Sequence, residues 1–249
     1  MIPKDYPKVI IEAVAPQVDG GRFPIKRVVG ERVIVSADIY KEGHDKLAAV
    51  LKVRKVGEKR WHESPVTQGD NDRWFGEFTV GAIGRWEYTI EAYAERYLSW
   101  VDEISKKNVP GANLNSELLE GLVILKKSAA LAPGPERSRM NGLISAMESA
   151  LEVGEQQGAI DLAIGTVMRG LMGSCPDRGE GYELAPTLTV MVNRPVTRFA
   201  AWYEFFPRSQ GSMPYRHGTL QDSIRRLRDI KAMGFDVVYL PPIHPIGHS

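Results

Sequence analysis

Cysteine is almost absent from this 249-residue sequence, in which Cys175 is the single representative. One thiol cannot form an intramolecular disulfide, and the sequence has no Cys/His spacing typical of a structural metal site. We therefore expect a protein of the reducing cytoplasm that uses no metal and no other cofactor. A single cysteine in a loop rich in glycine and proline is more often a bystander than a nucleophile.

Long apolar runs and an excess of charge of either sign are also missing. No stretch approaches the ~20 apolar residues that span a bilayer, and residues 1–7 lack the charged-then-apolar pattern of a signal peptide. The 32 Lys and Arg residues nearly balance the 31 Asp and Glu residues. Nucleic acids and anionic membranes attract clustered basic surfaces, so the sequence predicts neither as a partner.

Familiar motifs of catalysis and nucleotide binding are missing too. The sequence contains no Gly-x-Gly-x-x-Gly, no Gly-Lys-Ser/Thr phosphate loop, no Gly-x-Ser-x-Gly and no His-Glu-x-x-His. What remains is an ordinary globular composition, 43% hydrophobic and 25% charged. The chain is long enough for more than one hydrophobic core.

Residues 8–94 alternate between apolar and polar side chains with the period of a β-strand. Val33, Val35, Ala37 and Ile39 share one face of a predicted strand. Further strands are predicted at residues 47–56, 60–66, 74–80 and 86–92, with glycine-containing turns between them. Several short strands at this spacing predict an antiparallel β-sandwich.

From residue 98 to residue 172 the apolar period becomes helical. Three apolar stripes are formed by Leu118, Leu119, Leu122, Val123 and Leu125, by Met140, Leu143, Ile144, Met147 and Leu151, and by Ile160, Ala163, Ile164, Val167, Met168 and Leu171. They predict amphipathic helices that pack on one another or on a partner. Strand character returns at residues 186–193. A strand there is expected to rejoin the sandwich, which makes the helices an insertion.

The last fifty or so residues predict a parallel β-α-β unit. Residues 199–206 form an apolar-aromatic run, as in a strand buried on both faces. Thr219 suits a helix N-cap because Asp222 follows three residues later, and Gly234 suits the end of that helix. A second buried strand is predicted at residues 235–240. Strand, helix and strand at this length build parallel sheets or barrels.

The loops at the carboxyl ends of these two strands hold the candidate site residues. His244 follows the second strand, and in a (β/α)-barrel such loops line the active site. A packed loop residue is the alternative. Arg208 follows the first strand and is expected to meet an anion or, more commonly, to pair with a carboxylate such as Glu204. Structural or surface roles are expected for the earlier histidines: His44, His62 and His217.

Aromatic residues are concentrated in the predicted sandwich. They are Trp61, Trp74, Trp86, Tyr88 and Tyr93. On an open sheet face such rings can stack on sugars, but packing in the core is their commoner role. In the pair Trp74 and Phe75 one ring must point inward and the other outward, because neighbouring side chains of a strand face opposite ways.

Several stretches are specific enough to compare with known families. They are Ala-Trp-Tyr-Glu-Phe-Phe-Pro-Arg-Ser at residues 201–209, His-Gly-Thr at 217–219, Met-Gly-Phe-Asp-Val-Val-Tyr-Leu-Pro-Pro-Ile-His-Pro-Ile-Gly at 233–247, and Val-Asp-Gly-Gly-Arg-Phe-Pro-Ile-Lys-Arg at 18–27. Together they resemble the maltose-1-phosphate-dependent α-1,4-glucan maltosyltransferases of the α-amylase superfamily. The resemblance covers nearly the whole chain and is weakest in the helical middle.

The resemblance implies a multidomain β plus α/β protein in four parts. Residues 1–97 are expected to form an antiparallel, immunoglobulin-like β-sandwich, and residues 98–180 a helical-bundle insertion. Residues 181–197 supply the strand that returns to the sandwich and a linker. Residues 198–249 are expected to be the first β-α-β of a truncated (β/α)8 barrel. The family is homodimeric, which implies assembly through the N-domain and its helices.

The resemblance also implies an activity, the retaining transfer of maltosyl from α-maltose 1-phosphate to the non-reducing end of an α-1,4-glucan. Retention needs one carboxylate as nucleophile and another carboxyl group as acid and base. In the family these groups lie on later barrel strands, so no catalytic residue is expected up to Ser249. The chain alone is therefore expected to be inactive, and His244, in the pocket wall, is the one candidate for substrate contact.

Two other functions remain open from the sequence. One is a stand-alone module that binds glucan or mediates dimerisation. The buried-type strands at residues 199–206 and 235–240 argue against it, since a finished module would not end in an unpaired barrel beginning. The other is an α-amylase-type hydrolase or branching enzyme with the same domain order.

Overall fold

The computed structural model describes residues 9–179 and 181–244. Seven strands come first: β1 (Val9–Ala15), β2 (Ile25–Val28), β3 (Arg32–Lys41), β4 (Leu47–Lys55), β5 (His62–Gln68), β6 (Arg73–Thr79) and β7 (Gly84–Ala94). Five helices follow: α1 (Arg96–Lys107), α2 (Asn115–Leu131), α3 (Gly134–Glu152), α4 (Gln156–Ile164) and α5 (Thr166–Ser174). The remaining elements are β8 (Tyr182–Glu183), β9 (Leu188–Asn193), β10 (Trp202–Glu204), α6 (Leu220–Ala232) and β11 (Val237–Tyr239).

Some features of the sequence lie outside the described residues. They are residues 1–7, for which the sequence predicts no signal peptide, and the final Pro-Ile-Gly of the 233–247 stretch. Among the described residues, no helix is both long and apolar enough to cross a bilayer.

Nine of the described strands form one continuous, mostly antiparallel sheet in the order β1-β3-β6-β5-β4-β7-β9-β2, with β8 paired to β7. The sequence predicts a fully antiparallel sandwich, but β2 and β9 run parallel, from Ile25 opposite Val190 to Val28 opposite Asn193. Parallel pairing needs a long connection, and the helical segment between β7 and β9 is part of it. The strand predicted at residues 186–193 therefore joins the sheet, while the boundaries of the four parts stay a prediction.

The sheet is continuous because β5 pairs with β4 on one side and with β6 on the other. It curls over one shared core, in which buried side chains from β1, β3, β4, β7 and β9 meet. The alternation predicted for Val33, Val35, Ala37 and Ile39 is confirmed, since all four are buried. The coarse prediction of a β domain accompanied by helices is thus confirmed.

The helices pack around a second core of their own. In α2, Leu118, Leu122 and Leu125 are buried, and each contributes roughly 1.5–3 kcal/mol through removal of its side chain from water. Tyr97 joins α1 to the end of α4 through a hydrogen bond from its hydroxyl to the Ala163 carbonyl, at 2.8 Å. Burial raises the pKa of Tyr97 to about 12, so this phenol keeps its proton and remains a donor.

The third predicted stripe, residues 160–171, is not one helix. The chain breaks at Gly165, which is extended (ψ 158°) between α4 and α5. A side chain at Gly165 would place Cβ 2.8 Å from the Asp161 carbonyl oxygen, so glycine allows the tight break. Three residues of the predicted stripes face solvent rather than the core. They are Leu119 and Val123 of the first stripe and Val167 of the third.

The C-terminal β-α-β prediction is confirmed in its local structure. β10 and β11 are parallel, with Trp202 opposite Val237. The Thr219 side chain and Asp222 form a capping box at the start of α6, and Gly234 adopts the positive φ (90°) of a helix C-terminus. The predicted burial is not observed, because Trp202 is 62% and Phe199 80% exposed. Within the described residues, most of the surface of these two residues stays uncovered.

Candidate functional sites

The candidate site residues of the C-terminal unit lie beyond the carboxyl ends of β10 and β11. His244 is exposed and follows β11 by five residues. Arg208 lies in the turn Pro207–Gln210 that follows β10. Because the two strands are parallel, both loops leave the same edge of the small sheet. No ion pair between Arg208 and Glu204 is found among the described residues.

The loop between β10 and α6 is held by close backbone contacts. The Gly218 amide donates to the Arg208 carbonyl at 2.8 Å. A Cβ at Gly218 would lie 2.4 Å from the Pro207 carbonyl oxygen, and one at Gly211 2.5 Å from the Arg216 carbonyl oxygen. Only glycine permits such crossings. His217 is exposed beside this contact, and the loop is fixed by glycine packing.

The aromatic residues of the sheet are mainly core residues. Trp74 is 4% exposed and donates to the Ile39 carbonyl at 3.1 Å, whereas its neighbour Phe75 is 46% exposed. The inward-outward division predicted for this pair is therefore confirmed. Tyr88 is fully buried, and Trp86 donates to the Ala82 carbonyl at 2.9 Å. These rings do not form an open platform for sugars.

Trp61 is half-buried, as Trp86 is, and cations cover its ring. The Arg54 guanidinium carbon lies 4.1 Å from the ring centroid and the Lys52 ammonium 5.8 Å from it. Arg54 is also paired with Glu87. A ring held in this way is stabilised by cation–π attraction.

A network of ion pairs lies next to Trp61, on the outer face of β4, β5 and β7. Lys52 lies 2.7 Å from Glu183 and 3.5 Å from Glu91. Arg178, from the loop after α5, lies 2.8 Å from Glu63 and 3.1 Å from Glu91. The hydrogen bond from Arg178 lowers the pKa of Glu63. Every member has a partner, so the network fastens the returning chain to the sheet.

A small cavity lies where the chain passes between sheet and helices. Its volume is about 60 Å³, and its walls include Glu95, Tyr97, Lys127, Ser128 and Asp177. The Ser128 hydroxyl is buried, and among the described atoms it has no hydrogen-bond partner. A cavity of this size has room for water beside an orphan hydroxyl.

Glu95 is the acidic group of this cavity without an ion-pair partner among the described residues. Burial raises its pKa, amides at Leu98 and Tyr97 partly offset that effect, and the charge of Asp177 adds to it. Asp177 itself pairs with Lys127 at 2.6 Å. Burial raises the pKa of Asp177, but the bonds from Lys127 and the Gly179 amide outweigh burial and leave it lowered.

Replacing Glu95 by Gln is expected to stabilise the protein at neutral pH and to change little below pH 4.5. Because the folded pKa is raised above the ordinary 4.5, the folded state holds this proton more tightly than the unfolded state. That stability is fully present below the unfolded pKa and is lost as pH rises through the folded pKa. Gln cannot ionise and does not incur the loss.

The measurement is the urea unfolding midpoint at pH 4 and at pH 7.5. Glu152→Gln, at an exposed position of α3, is the matched control and should show no comparable gain. A Glu95→Gln gain that is equal at the two pH values would contradict a role for the buried charge.

In the part of the chain that the structure describes, the lone thiol lies apart from the exposed histidines. Cys175 is half-buried and packs against the helical core. Among residues 9–179 and 181–244, no cluster of three or more His, Cys, Asp or Glu side chains is placed to hold a metal ion. The exposed His44 and His62 occupy surface positions of the sheet region.

Sequence comparison gives a consistent family assignment. Residues 7–194 match the family model described as α-1,4-glucan:maltose-1-phosphate maltosyltransferase, domain N/S. Proteins named α-1,4-glucan:maltose-1-phosphate maltosyltransferase are similar to this chain in Rhodospirillum rubrum (40% identity) and Myxococcus xanthus (41% identity). These matches cover 96% and 97% of the chain but 36% and 37% of the relatives. The chain thus spans about a third of the length of the curated relatives it matches.

Proposed function

Because the chain belongs to the α-1,4-glucan:maltose-1-phosphate maltosyltransferase family through the N/S domain, we propose that it is the N-terminal part of such an enzyme. The proposed reaction moves maltosyl from α-maltose 1-phosphate to the non-reducing end of an α-1,4-glucan, releases phosphate and retains the anomeric configuration. The match over residues 7–194 carries this proposal. The names of the similar bacterial proteins support the choice of substrates.

In this proposal the C-terminal unit is the first β-α-β of a (β/α)8 barrel. Two parallel strands joined by a helix are the repeating unit of a (β/α)8 barrel. The exposed rings of Phe199 and Trp202 are then covered by the later strands and helices of the longer protein. The curled sheet of β1–β7 and β9 is the immunoglobulin-like N-domain, and α1–α5 are its insertion.

The catalytic carboxylates lie on those later strands. A retaining enzyme needs two carboxyl groups about 5–5.5 Å apart, one as nucleophile and one as acid and base. We assign to His244 a place in the pocket wall, because it leaves β11 at the edge shared with the loop after β10. An exposed imidazole there can hydrogen-bond to a sugar hydroxyl.

The proposed assembly is a homodimer in the cytoplasm, joined through the N-domain and the helical segment. Leu119 and Val123, one turn apart on α2, are exposed and belong to the same face of that helix. An apolar pair of this kind can be covered by a second copy. The sedimentation coefficient of the complete gene product tests this assembly.

The activity is tested by supplying the complete gene product with α-maltose 1-phosphate and a maltooligosaccharide. Phosphate release coupled to elongation of the acceptor by two glucose units is expected, with α-linkages in the product. The 249-residue chain alone is the control and should release none. Release of free maltose without elongation would indicate a hydrolase, and branch formation without the phosphorylated donor a branching enzyme. Either result overturns the proposal.

A further inference from the structure

A basic cleft lies at the edge of the sheet, between the turn after β2 and the turn after β9. Its volume is about 410 Å³, within the range of about 300–1,000 Å³ typical of small-molecule sites. The polar side chains that line it are Lys26, Arg27, Glu31, Asn193, Thr197 and Arg198.

The charges in the cleft do not cancel. Three cationic side chains face one carboxylate, that of Glu31, which is already engaged. It accepts from the Val28 amide at 3.0 Å and lies 3.6 Å from the Arg27 guanidinium. Lys26 and Arg198 have no carboxylate partner among the described residues, and both are exposed. The cleft therefore keeps a net charge of about +2, which favours an anion.

Neutral hydrogen-bonding groups complete the lining. The Thr197 hydroxyl donates to the Arg194 carbonyl at 2.6 Å, which leaves its oxygen free to accept. Asn193 lines the cleft with its side-chain amide uncommitted among the described residues. The main-chain carbonyl of Asn193 accepts a hydrogen bond from the Val29 amide at 3.1 Å. This bond extends the parallel β2–β9 ladder, so the two walls are fixed relative to each other.

We propose that this cleft binds a dianionic phosphate group, either inorganic phosphate or the phosphate of a phosphorylated sugar. A phosphate monoester carries a charge near −2 above its second pKa of about 6, which matches the uncompensated charge of the cleft. Arg and Lys donors suit phosphate oxygens. The volume exceeds that of phosphate alone and leaves space for a sugar ring beside Asn193 and Thr197.

The test follows hydrogen–deuterium exchange in the complete gene product at constant ionic strength. Phosphate is expected to protect peptides that cover residues 24–32 and 190–199. The half-saturating concentration should fall as pH rises from 5.5 to 7.5, since the dianion replaces the monoanion over that interval. Sulfate, a dianion throughout, should protect the same peptides without this pH dependence. The pH dependence is expected to come from the ligand, because the cationic side chains that line the cleft are lysine and arginine rather than histidine.

Comparison of ligands separates the two sources of phosphate. Tighter protection by α-maltose 1-phosphate than by inorganic phosphate identifies a sugar phosphate as the ligand. Equal protection identifies inorganic phosphate. Maltose, which lacks the charge, should give no protection. The local readout is independent of transfer activity, so failure of the proposed enzyme function does not change the interpretation of these peptides.

Substitutions test whether the cleft itself binds. Lys26→Gln combined with Arg198→Gln is expected to raise the half-saturating phosphate concentration about tenfold, since two charge-assisted contacts are lost at exposed positions. The matched control is Lys59→Gln with Arg60→Gln, the same charge change at exposed residues outside the cleft. Lys26→Arg with Arg198→Lys keeps the charge and should keep binding.

Three results would overturn the proposal. The first is the absence of protection by phosphate. The second is an equal loss in the cleft and control variants, which indicates diffuse attraction to a basic surface. The third is a cleft that is protected before any ligand is added and insensitive to phosphate, which indicates that a carboxylate of the longer protein occupies it.

Discussion

Limited proteolysis of the 249-residue chain, produced alone, is expected to remove residues 199–249 and to leave a protected product that ends near residue 195. The reason is the unequal burial of the two parts. The sheet and the helices each enclose a core of many buried side chains. Among the described residues of the C-terminal unit, the large apolar side chains that become buried are Phe205 and Ile230.

The small β10–β11 sheet cannot stabilise itself. Each strand is three residues long, and an isolated two-stranded sheet is marginal in water even with longer strands. The apolar stripe of α6, Leu220, Ile224 and Leu227, remains exposed. Backbone ordering costs about 1–2 kcal/mol per residue, and the few buried contacts do not offset that cost.

The measurement is mass spectrometry of the digest, followed by thermal unfolding of a chain comprising residues 1–195. That shorter chain should unfold cooperatively with the helical and strand content of the longer one. The complete gene product is the control, in which the bonds after residue 199 should resist the protease. A protected species that includes residue 249 in the isolated chain would contradict the expectation.

The second large effect is expected at Gly121, in the middle of α2. Substitution by Ala should destabilise the helical segment by about 1–2 kcal/mol. A Cβ there would lie 2.2 Å from the Trp100 ring, and Trp100 is fixed by a bond from its indole nitrogen to the Glu117 carbonyl at 2.7 Å. Overpacking costs about 1–3 kcal/mol, and the better helix propensity of Ala returns at most about 1 kcal/mol.

Gly142→Ala in α3 is the matched control. No atom lies within 4 Å of a Cβ built at Gly142, so the same substitution should stabilise by about 0.5–1 kcal/mol. Far-ultraviolet circular dichroism in urea measures both variants, and near-ultraviolet dichroism follows the Trp100 environment. A Gly121→Ala variant as stable as Gly142→Ala would show that Trp100 can move without loss.

Local patterns carried most of the correct fold predictions. The alternation from Val33 to Ile39 predicts one buried face of a strand. The Thr219–Asp222 pair predicts a helix cap, because the two residues that form it are three positions apart. The break at Gly165 was not predicted, because the apolar period continues through it. It depends on the Asp161 carbonyl, a backbone contact that side-chain periodicity does not record.

Contacts between distant parts of the chain explain what the sequence did not reveal. The basic cleft brings Lys26 to Arg198 because β2 lies parallel to β9, and no hairpin pattern predicts that register. The cavity joins Glu95 to Ser128 and Asp177 only after the helices have packed. His244 was found from its place after a strand, while its role as a pocket residue stays a prediction.

The antiparallel pairing of β7 with β8 has a mechanical consequence. The helical segment leaves the sheet after Ala94 and returns at Tyr182, which is paired with Ala92. Tension applied between the two ends of the sheet passes through its strands and bypasses α1–α5, because the anchors of that segment are already side by side. The helices can therefore bend or reorient under load while the strand ladder keeps its length.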